Sequence, residues 1–439
     1  MTQGESWGGY PKAAQTFRNV RDRHAALSLP PDGTALAFGN GRSYGDVCLN
    51  DGGTLLGMRG LDRFISFDAE TGVLECEAGV LLADIIDIAL PKGWFLPVTP
   101  GTKFVTVGGA IANDVHGKNH HREGTFGRHV LAFELLRSDG GRRVCSAGEN
   151  ADLFATTIGG LGLTGVVTWA RLQLKRMGSA FLAGEQIKFG GLNEFFALSE
   201  ASAATHEYVV SWIDCLARGA SLGRGLFMRA NALSADEAAA RGAKAPIVLP
   251  LAMPLTPPIS LVNGLTLRAF NAAYFYRQRT REAARLWHYG AFHYPLDAIS
   301  NWNRIYGPKG FLQYQCVVPA RDQRAVSEAL LKEISRSGQG SFLVVFKVFG
   351  ETTSPGLLSF PMAGTTLALD FPIKGATTFA LLDRLDAIVC EAGGRIYPAK
   401  DARMSVETFR RGYPRLEEFR KFVDPRLGSS FARRVMGTA

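Results

Sequence analysis

Pro97-Val98-Thr99-Pro100-Gly101-Thr102, running on through Val107-Gly108-Gly109-Ala110-Ile111-Ala112-Asn113-Asp114-Val115-His116-Gly117-Lys118-Asn119-His120-His121, is the stretch on which the reading of this chain turns. Glycines, small residues and polar groups with a histidine interrupt an otherwise apolar run. A packed core has no use for that composition. Backbone that passes close to a flat, phosphate-bearing ligand does, because glycine removes the Cβ and leaves amide N–H groups to point at oxygens. An upstream stretch, Phe38-Gly39-Asn40-Gly41-Arg42-Ser43-Tyr44-Gly45-Asp46, and a downstream one, Ile158-Gly159-Gly160-Leu161-Gly162-Leu163-Thr164-Gly165, have the same character. Together they predict one large nucleotide cofactor gripped at several points.

The bulk numbers set the frame. At 439 residues, with 46% hydrophobic and 20% charged, the chain has the composition of a soluble globular protein of two domains, or of one domain with a large insertion. The net charge of +9 suits an anionic partner. Basic residues are interleaved with acidic ones, however. The densest group, Arg403 to Arg434, is broken by Glu407, Glu417, Glu418 and Asp424 and reads as a solvated mixed face, so no nucleic-acid partner is expected. Cys48, Cys76, Cys145, Cys215, Cys316 and Cys390 stand singly, which predicts reduced thiols in a cytoplasmic setting. Met1 to Arg21 lacks an apolar signal core, and no unbroken apolar run approaches the ~20 residues of a spanning helix.

Hydrophobic patterning predicts alternating short elements up to residue 178. These are a buried strand at Thr34–Phe38, a hairpin from Leu61–Phe67 to Val73–Ala78, a helix at Leu81–Ala89, a second hairpin from Val130–Leu136 to Gly141–Ser146, a helix at Asp152–Thr157 and a strand at Gly165–Leu174. Beyond residue 178 the glycine clusters thin out. Longer stretches follow at Phe311–Pro319, Arg321–Ser337, Phe342–Phe349 and Leu367–Ile373. The window Pro246 to Leu267 is apolar but carries Pro246, Pro250, Pro254, Pro257 and Pro258, which forbids a continuous helix. A surface loop and an apolar lid touching a lipid tail or membrane remain open readings of it. Near residue 393 glycine returns, and Tyr397 and Lys400 are expected close together.

The pieces Gly41-Arg42-Ser43-Tyr44-Gly45-Asp46, Val107-Gly108-Gly109-Ala110-Ile111-Ala112, His116-Gly117-Lys118-Asn119-His120-His121, Gln313-Tyr314-Gln315, Ser341-Phe342, Val345-Phe346-Lys347, Asp370-Phe371-Pro372-Ile373-Lys374 and Ala399-Lys400-Asp401, in this order, resemble the vanillyl-alcohol-oxidase superfamily of PCMH-type flavoenzymes. Within it they resemble most the flavin subunits of the decaprenylphosphoryl-ribose 2′-epimerases. The resemblance implies an α+β fold. A two-subdomain FAD-binding domain (1–178) is followed by a central antiparallel-sheet substrate or cap domain (179–394), and residues 395–439 return to the FAD-binding domain. It implies an FAD-dependent oxidoreductase acting on CH–OH groups: a secondary hydroxyl of a sugar, such as a polyprenyl-phosphate-linked pentose, loses hydride to flavin N5 and becomes a keto sugar for cell-wall arabinan. A separate short-chain reductase is the implied partner, and the implied location is cytoplasmic or peripheral at the inner face of the membrane through 246–267. A soluble sugar-alcohol or aldonolactone substrate, and a flavin-free sugar-phosphate or lipid carrier, are the rival readings.

Residue by residue, the resemblance and the glycine pattern nominate Gly39, Asn40, Gly41, Arg42, Ser43, Tyr44, Gly45, Pro100, Gly101, Thr102, Val107, Gly108, Gly109, Ala112, Asn113, His116, Gly117, Asn119, Gly162, Gly165 and Tyr397 for the cofactor. The amides of Gly39 to Asp46 and of Thr102 to Gly109 are expected to form the phosphate nest. No Gly-x-Gly-x-x-Gly Rossmann fingerprint is present. Arg42 stands where covalent members of the superfamily link flavin through a histidine, so FAD held non-covalently is expected. Tyr44, His116 and Lys400 are the candidates for the catalytic base, and Lys118, Gln313, Gln315, Lys347, Thr366 and Lys400 for the substrate. Gln313 and Gln315 alternate along one strand and so share a face. Lys347 in the apolar run 342–349 is costly unless paired or ligand-facing, and suits a phosphate. Thr366 and Ala368 replace an Asn and a Cys of the mycobacterial members, which implies altered substrate contact. Val115, where oxidase members often hold a smaller residue, points to slow reaction with O₂. The His116, His120, His121, Glu123 spacing with Gly117 between makes no zinc helix, and no metal is expected.

Overall fold

The computed structural model describes residues 4–246 and 251–437. Three sheets organise them. A parallel three-stranded sheet joins Thr16–Asn19, Thr54–Gly57 and Ala35–Phe38, with Thr54–Gly57 in the middle. A five-stranded antiparallel sheet runs in the order Phe64–Phe67, Val73–Glu77, Val166–Gln173, Val130–Leu136, Arg142–Ser146. Both expected hairpins are in it, closed by turns at Asp68–Gly72 and Arg137–Gly141. The expected helices appear as Leu82–Ala89 and Ala151–Thr157. This is the mixture of helices and antiparallel sheets that the α+β expectation requires.

The third sheet has eight antiparallel strands. Their order is Glu282–His288, Phe181–Phe189, Gly225–Ala232, Tyr208–Ile213, Val344–Phe349, Gly364–Pro372, Phe311–Pro319, Arg395–Ile396. Its two faces have opposite chemistry, as a period-2 pattern dictates. One face sends Tyr314, Cys316, Phe346, Leu367, Leu369 and Phe371 into a core shared with the helices Leu192–Ala203, Gln323–Ser337 and Ala376–Glu391. The interleaved positions Gln313, Gln315, Val345, Lys347, Ala368 and Asp370 face a cavity instead.

Two stretches take a more definite form than their composition shows. In the window 246–267, the helix Gly264–Tyr276 starts inside the stretch, because the last proline is Pro258 and Asn263 caps the helix by accepting from the Leu265 and Thr266 amides. Upstream of it, Leu251–Ala252 pairs in parallel with Ile299–Ser300; residues 247–250 lie outside the described ones. Through its middle the Arg403–Arg434 group is the solvated mixed face expected, with exposed pairs Arg411–Glu407 and Arg415–Glu418, but its two ends turn inward. Arg403 bonds Asp383 and Asp386, and Arg434 bonds Asp46 and Asp401. The final segment lies against the N-terminal strands through Asp424 N to Leu163 O, Gly428 N to Ala35 O and Ser430 N to Leu49 O.

Candidate active site

The glycine turns and the polar face of the eight-stranded sheet enclose one cavity of about 810 Å³, toward the top of the ~300–1,000 Å³ span of ligand pockets. Of the nominated residues, Gly39 to Tyr44, Pro100 to Thr102, Gly108, Gly109, Ala112, Asn113, His116 to Lys118, Gly162, Gly165, Gln313, Gln315, Lys347, Tyr397 and Lys400 all line it. Residues far apart in sequence thus meet around one space.

Four nominated residues do not line it. Val107 is wholly buried in the core beneath the glycine helix. Gly45 is packed on the Asp401 carbonyl, where any Cβ would collide. Asn119 is buried and donates to Pro97 O at 2.8 Å, holding the loop from behind. Thr366 donates to Cys316 O at 2.8 Å and accepts from Gln315 Nε2 at 3.3 Å, so it backs Gln315 rather than facing the cavity. Ala368, one pleat along, lines it.

Only part of the expected phosphate nest has amides free to bind. The amides of Val107, Gly108 and Gly109 already donate to Val80 O, Ala78 O and Thr106 Oγ1. By contrast, the amides of Gly41, Ser43, Gly101 and Thr102 meet no protein acceptor among the described residues. Gly41 has φ +60°, open to glycine. A Cβ on Gly39 would overlap Thr106 Oγ1, the oxygen that caps the helix Val107–Ala112. Asn113 Oδ1 and His116 Nδ1 are buried at the wall with no partner among the described residues. Unpaired donors and acceptors around a long glycine-lined space are what a dinucleotide such as FAD requires.

The catalytic candidates have distinct electrostatics. Lys400 Nζ lies 3.7 Å from the centre of the Tyr44 ring, and Tyr44 N donates to Ala399 O at 2.9 Å. Burial lowers the Lys400 ammonium to about 7, with Asp370 opposing the shift. Burial raises the Tyr44 hydroxyl far above its ordinary value, reinforced by Asp370. His116 packs edge-on to Phe349 at 4.9 Å and beside Tyr397 at 5.3 Å, and burial keeps it neutral. Its Nε2 lies 3.0 Å from Gln315 Nε2. The amide donates, so the ring proton sits on Nδ1.

Lys118 and Lys347 are spent on backbone: Lys118 Nζ donates to Phe292 O, and Lys347 Nζ to Gly117 O at 2.5 Å. Burial lowers both to about 7.

Sequence reasoning missed several members of the site. Asp370 is 1% exposed; it accepts from Gln313 Nε2 at 2.6 Å and Tyr306 Oη at 3.1 Å, and burial pushes it up to about 6. The signal was present, since a carboxylate two residues from Ala368 in an apolar strand must face something polar. Trp7 carries the Arg42 guanidinium at 4.2 Å, and Asp297 accepts from Lys103 N at 2.9 Å; both line the cavity. Their place depends on long-range packing that no local pattern announces.

A family model described as an FAD binding domain matches residues 31–146. The decaprenylphosphoryl-β-D-ribose oxidase of Mycolicibacterium smegmatis is 40% identical over 412 residues, 91% of this chain and 88% of its own. An uncharacterized Streptomyces coelicolor protein is 36% identical over 369 residues, 81% of this chain and 100% of its own. Mouse L-gulonolactone oxidase is 32% identical over 148 residues, 34% of this chain and 33% of its own.

Proposed function

Because the chain belongs to the decaprenylphosphoryl-β-D-ribose oxidase family of FAD-dependent oxidoreductases, we propose that it oxidises a secondary hydroxyl of a polyprenyl-phosphate-linked pentose, of the decaprenylphosphoryl-ribose kind, to a keto sugar. The observation that carries this reading is the polar stripe Gln313, Gln315, Lys347 and Asp370 on a sheet whose other face is apolar, opposite the glycine turns. FAD, held without a covalent bond beside Arg42, supplies the acceptor for the hydride that leaves the carbinol carbon.

Lys400 takes the hydroxyl proton. With its pKa at about 7 it is half neutral at neutral pH, whereas Tyr44 holds its proton too tightly and His116 has its basic nitrogen engaged by Gln315. The Gln313 and Gln315 amides orient the sugar hydroxyls, while Lys118 and Lys347 make the chamber favourable to an anion. Val115, 8% exposed at the wall, supports slow reaction with O₂.

The division 1–178, 179–394 and 395–439 belongs to this reading: the eight-stranded sheet caps the cofactor, and the tail returns to the FAD-binding part. Support comes from the tail's bonds to Leu163, Ala35 and Leu49, although Arg395–Ile396 still pairs with the eight-stranded sheet. A polyprenyl tail leaves along an apolar surface. Leu251, Leu255, Ile259 and Leu265 are 56%, 75%, 73% and 79% exposed. That surface reaches the chamber through Ile299, which lines it and pairs with Leu251. Among the described residues no helix is long and apolar enough to cross a membrane, so this surface serves a peripheral contact. A short-chain reductase then reduces the keto sugar.

The test is anaerobic bleaching of bound FAD by polyprenyl-phosphate pentoses, free pentoses, sugar alcohols and aldonolactones. Bleaching at least ten times faster with the lipid-linked pentose is expected, and loss of vesicle binding in a Leu255→Ser/Ile259→Ser/Leu265→Ser variant goes with it. Equal or faster bleaching by a free sugar or lactone overturns the assignment, and a purified protein without flavin overturns the chemistry.

A further inference from the structure

In the proposed oxidation Tyr44 and Lys400 stand at the reacting end of the cavity, on two loops that no strand pairing holds. One link between those loops is backbone: Tyr44 N to Ala399 O. Another is a single side chain from the end of the chain. Arg434, in the helix Ser430–Met436, donates Nε to Asp46 Oδ2 at 2.8 Å and Nη2 to Asp46 Oδ1 at 2.7 Å. The same Nη2 donates to Asp401 Oδ2 at 2.8 Å, and Nη1 to Met404 O at 2.6 Å. Asp46 follows Tyr44 by two residues, and Asp401 directly follows Lys400. Both carboxylates are buried, 5% and 3% exposed at the side chain.

We propose that Arg434 is a positioning residue for the oxidation, fixing the Tyr44 and Lys400 loops at one separation so that the Lys400 amine stands over the Tyr44 ring and toward the substrate hydroxyl. The geometry suits this role better than general stability alone. Two carboxylates of like charge face each other, and only a planar cation with several donors satisfies both at once. At Gly45 the two loops meet backbone to backbone, since a Cβ there would collide with the Asp401 carbonyl; that contact resists closer approach but does not stop the loops from separating. Arg434 touches no cavity wall itself. The helix that carries it is anchored independently by Ser429 capping Ala432 N, by Phe431 in the core and by Ser430 N to Leu49 O. The clamp therefore has a fixed base, and losing the guanidinium frees the loops rather than the helix.

The proposal rests on the functional reading of Lys400, so the experiment separates the two. Arg434→Lys and Arg434→Gln are made in the full-length, FAD-loaded protein, with Arg224→Gln as a matched control. Arg224 bonds Asp214 through two nitrogens at 3.1 and 2.8 Å, with similar burial, away from the cavity. Flavin reduction by substrate is followed for kcat, KM and the pH profile, with melting temperature and the visible flavin spectrum alongside. Displacing a catalytic group by about 1 Å costs on the order of 100-fold, so we expect Arg434→Gln to lose at least tenfold in kcat with KM within threefold. Its pH limb should shift from the wild-type position while FAD stays bound, and Arg434→Lys should recover part of the loss. Arg224→Gln should melt lower by a similar amount and keep its kcat. An unchanged kcat and pH limb in Arg434→Lys and Arg434→Gln overturn the proposal, as does an equal loss of kcat in Arg224→Gln. Should Arg434→Gln fail to accumulate, Arg434→Lys alone decides, because an ammonium cannot reproduce the double contact to Asp46 together with the bond to Asp401. If wild-type and Lys400→Met share one pH profile, the reading of Lys400 fails instead, and the Arg434 result is then judged on kcat alone.

Discussion

Lys400 gives the sharpest quantitative prediction. Burial brings its ammonium from an ordinary 10.5 to about 7, against the pull of Asp370. If the neutral amine takes the hydroxyl proton, kcat/KM follows the neutral fraction: roughly one half at pH 7, one eleventh at pH 6 and ten elevenths at pH 8. The rate should therefore fall about fivefold from pH 7 to 6 and rise less than twofold from 7 to 8. Lys400→Met keeps the bulk over Tyr44 and deletes the base. The expected loss is on the order of 10²–10⁴-fold, about 3–5 kcal/mol of barrier. Stopped-flow reduction of the flavin under anaerobic conditions measures both. Lys118 and Lys347 are lowered to about the same value, so the variants Lys118→Met and Lys347→Met are needed to assign the limb. Their amines are bonded to Phe292 O and Gly117 O, and the limb at pH 7 should survive in both. A limb that persists in Lys400→Met, or a rate within fivefold of wild type, refutes the assignment.

Three further outcomes follow from the same geometry. Gly39→Ala places a methyl against Thr106 Oγ1, disturbing a cap worth ~1 kcal/mol; FAD affinity should fall on the order of tenfold, and an unchanged fluorimetric titration of the apoprotein would count against the cradle. Acid precipitation should release all the flavin to the supernatant, because the Arg42 guanidinium cannot form the flavin link of a histidine; yellow colour kept by the pellet contradicts this. Stability without substrate should rise with pH from about 7 upward. The buried lysines bind fewer protons than their unfolded counterparts between their folded values of about 7 and their ordinary 10.5, and stability then increases with pH. Lys347→Met should flatten the rise in melting temperature between pH 7 and 9, and an equal slope in that variant would contradict the burial argument.

The local record held much of this protein. The glycine turns at 39–45 and 159–165 need conformations and close approaches that side chains forbid, so they show in the residues themselves. Gln313, Gln315 and Lys347 stand out for a related reason, as polar groups at alternate places in apolar strands, where a pleat must send them to one face. Asp370 obeys the same rule.

What depends on distant segments meeting was not legible. Val107 and Asn119 lie inside the right motifs, yet one is core and the other a brace, because only the packing of the helix Val107–Ala112 decides which side meets the ligand. The amide of Gly108 looked free for phosphate until Ala78 O arrived from elsewhere, whereas the Thr106 Oγ1 that takes the Gly109 amide is a local helix cap three residues away. Arg434, one of many arginines in a mixed-charge tail, became the link between two loops only through the return of the chain's end to Asp46 and Asp401. The amino-acid order thus determined the cofactor class and the polar face that lines the cavity, through steric and desolvation costs that act residue by residue. The tertiary structure alone decided which donors stay unpaired and which charges face each other, because hydrogen-bond and ion-pair partners are set by contacts across hundreds of residues.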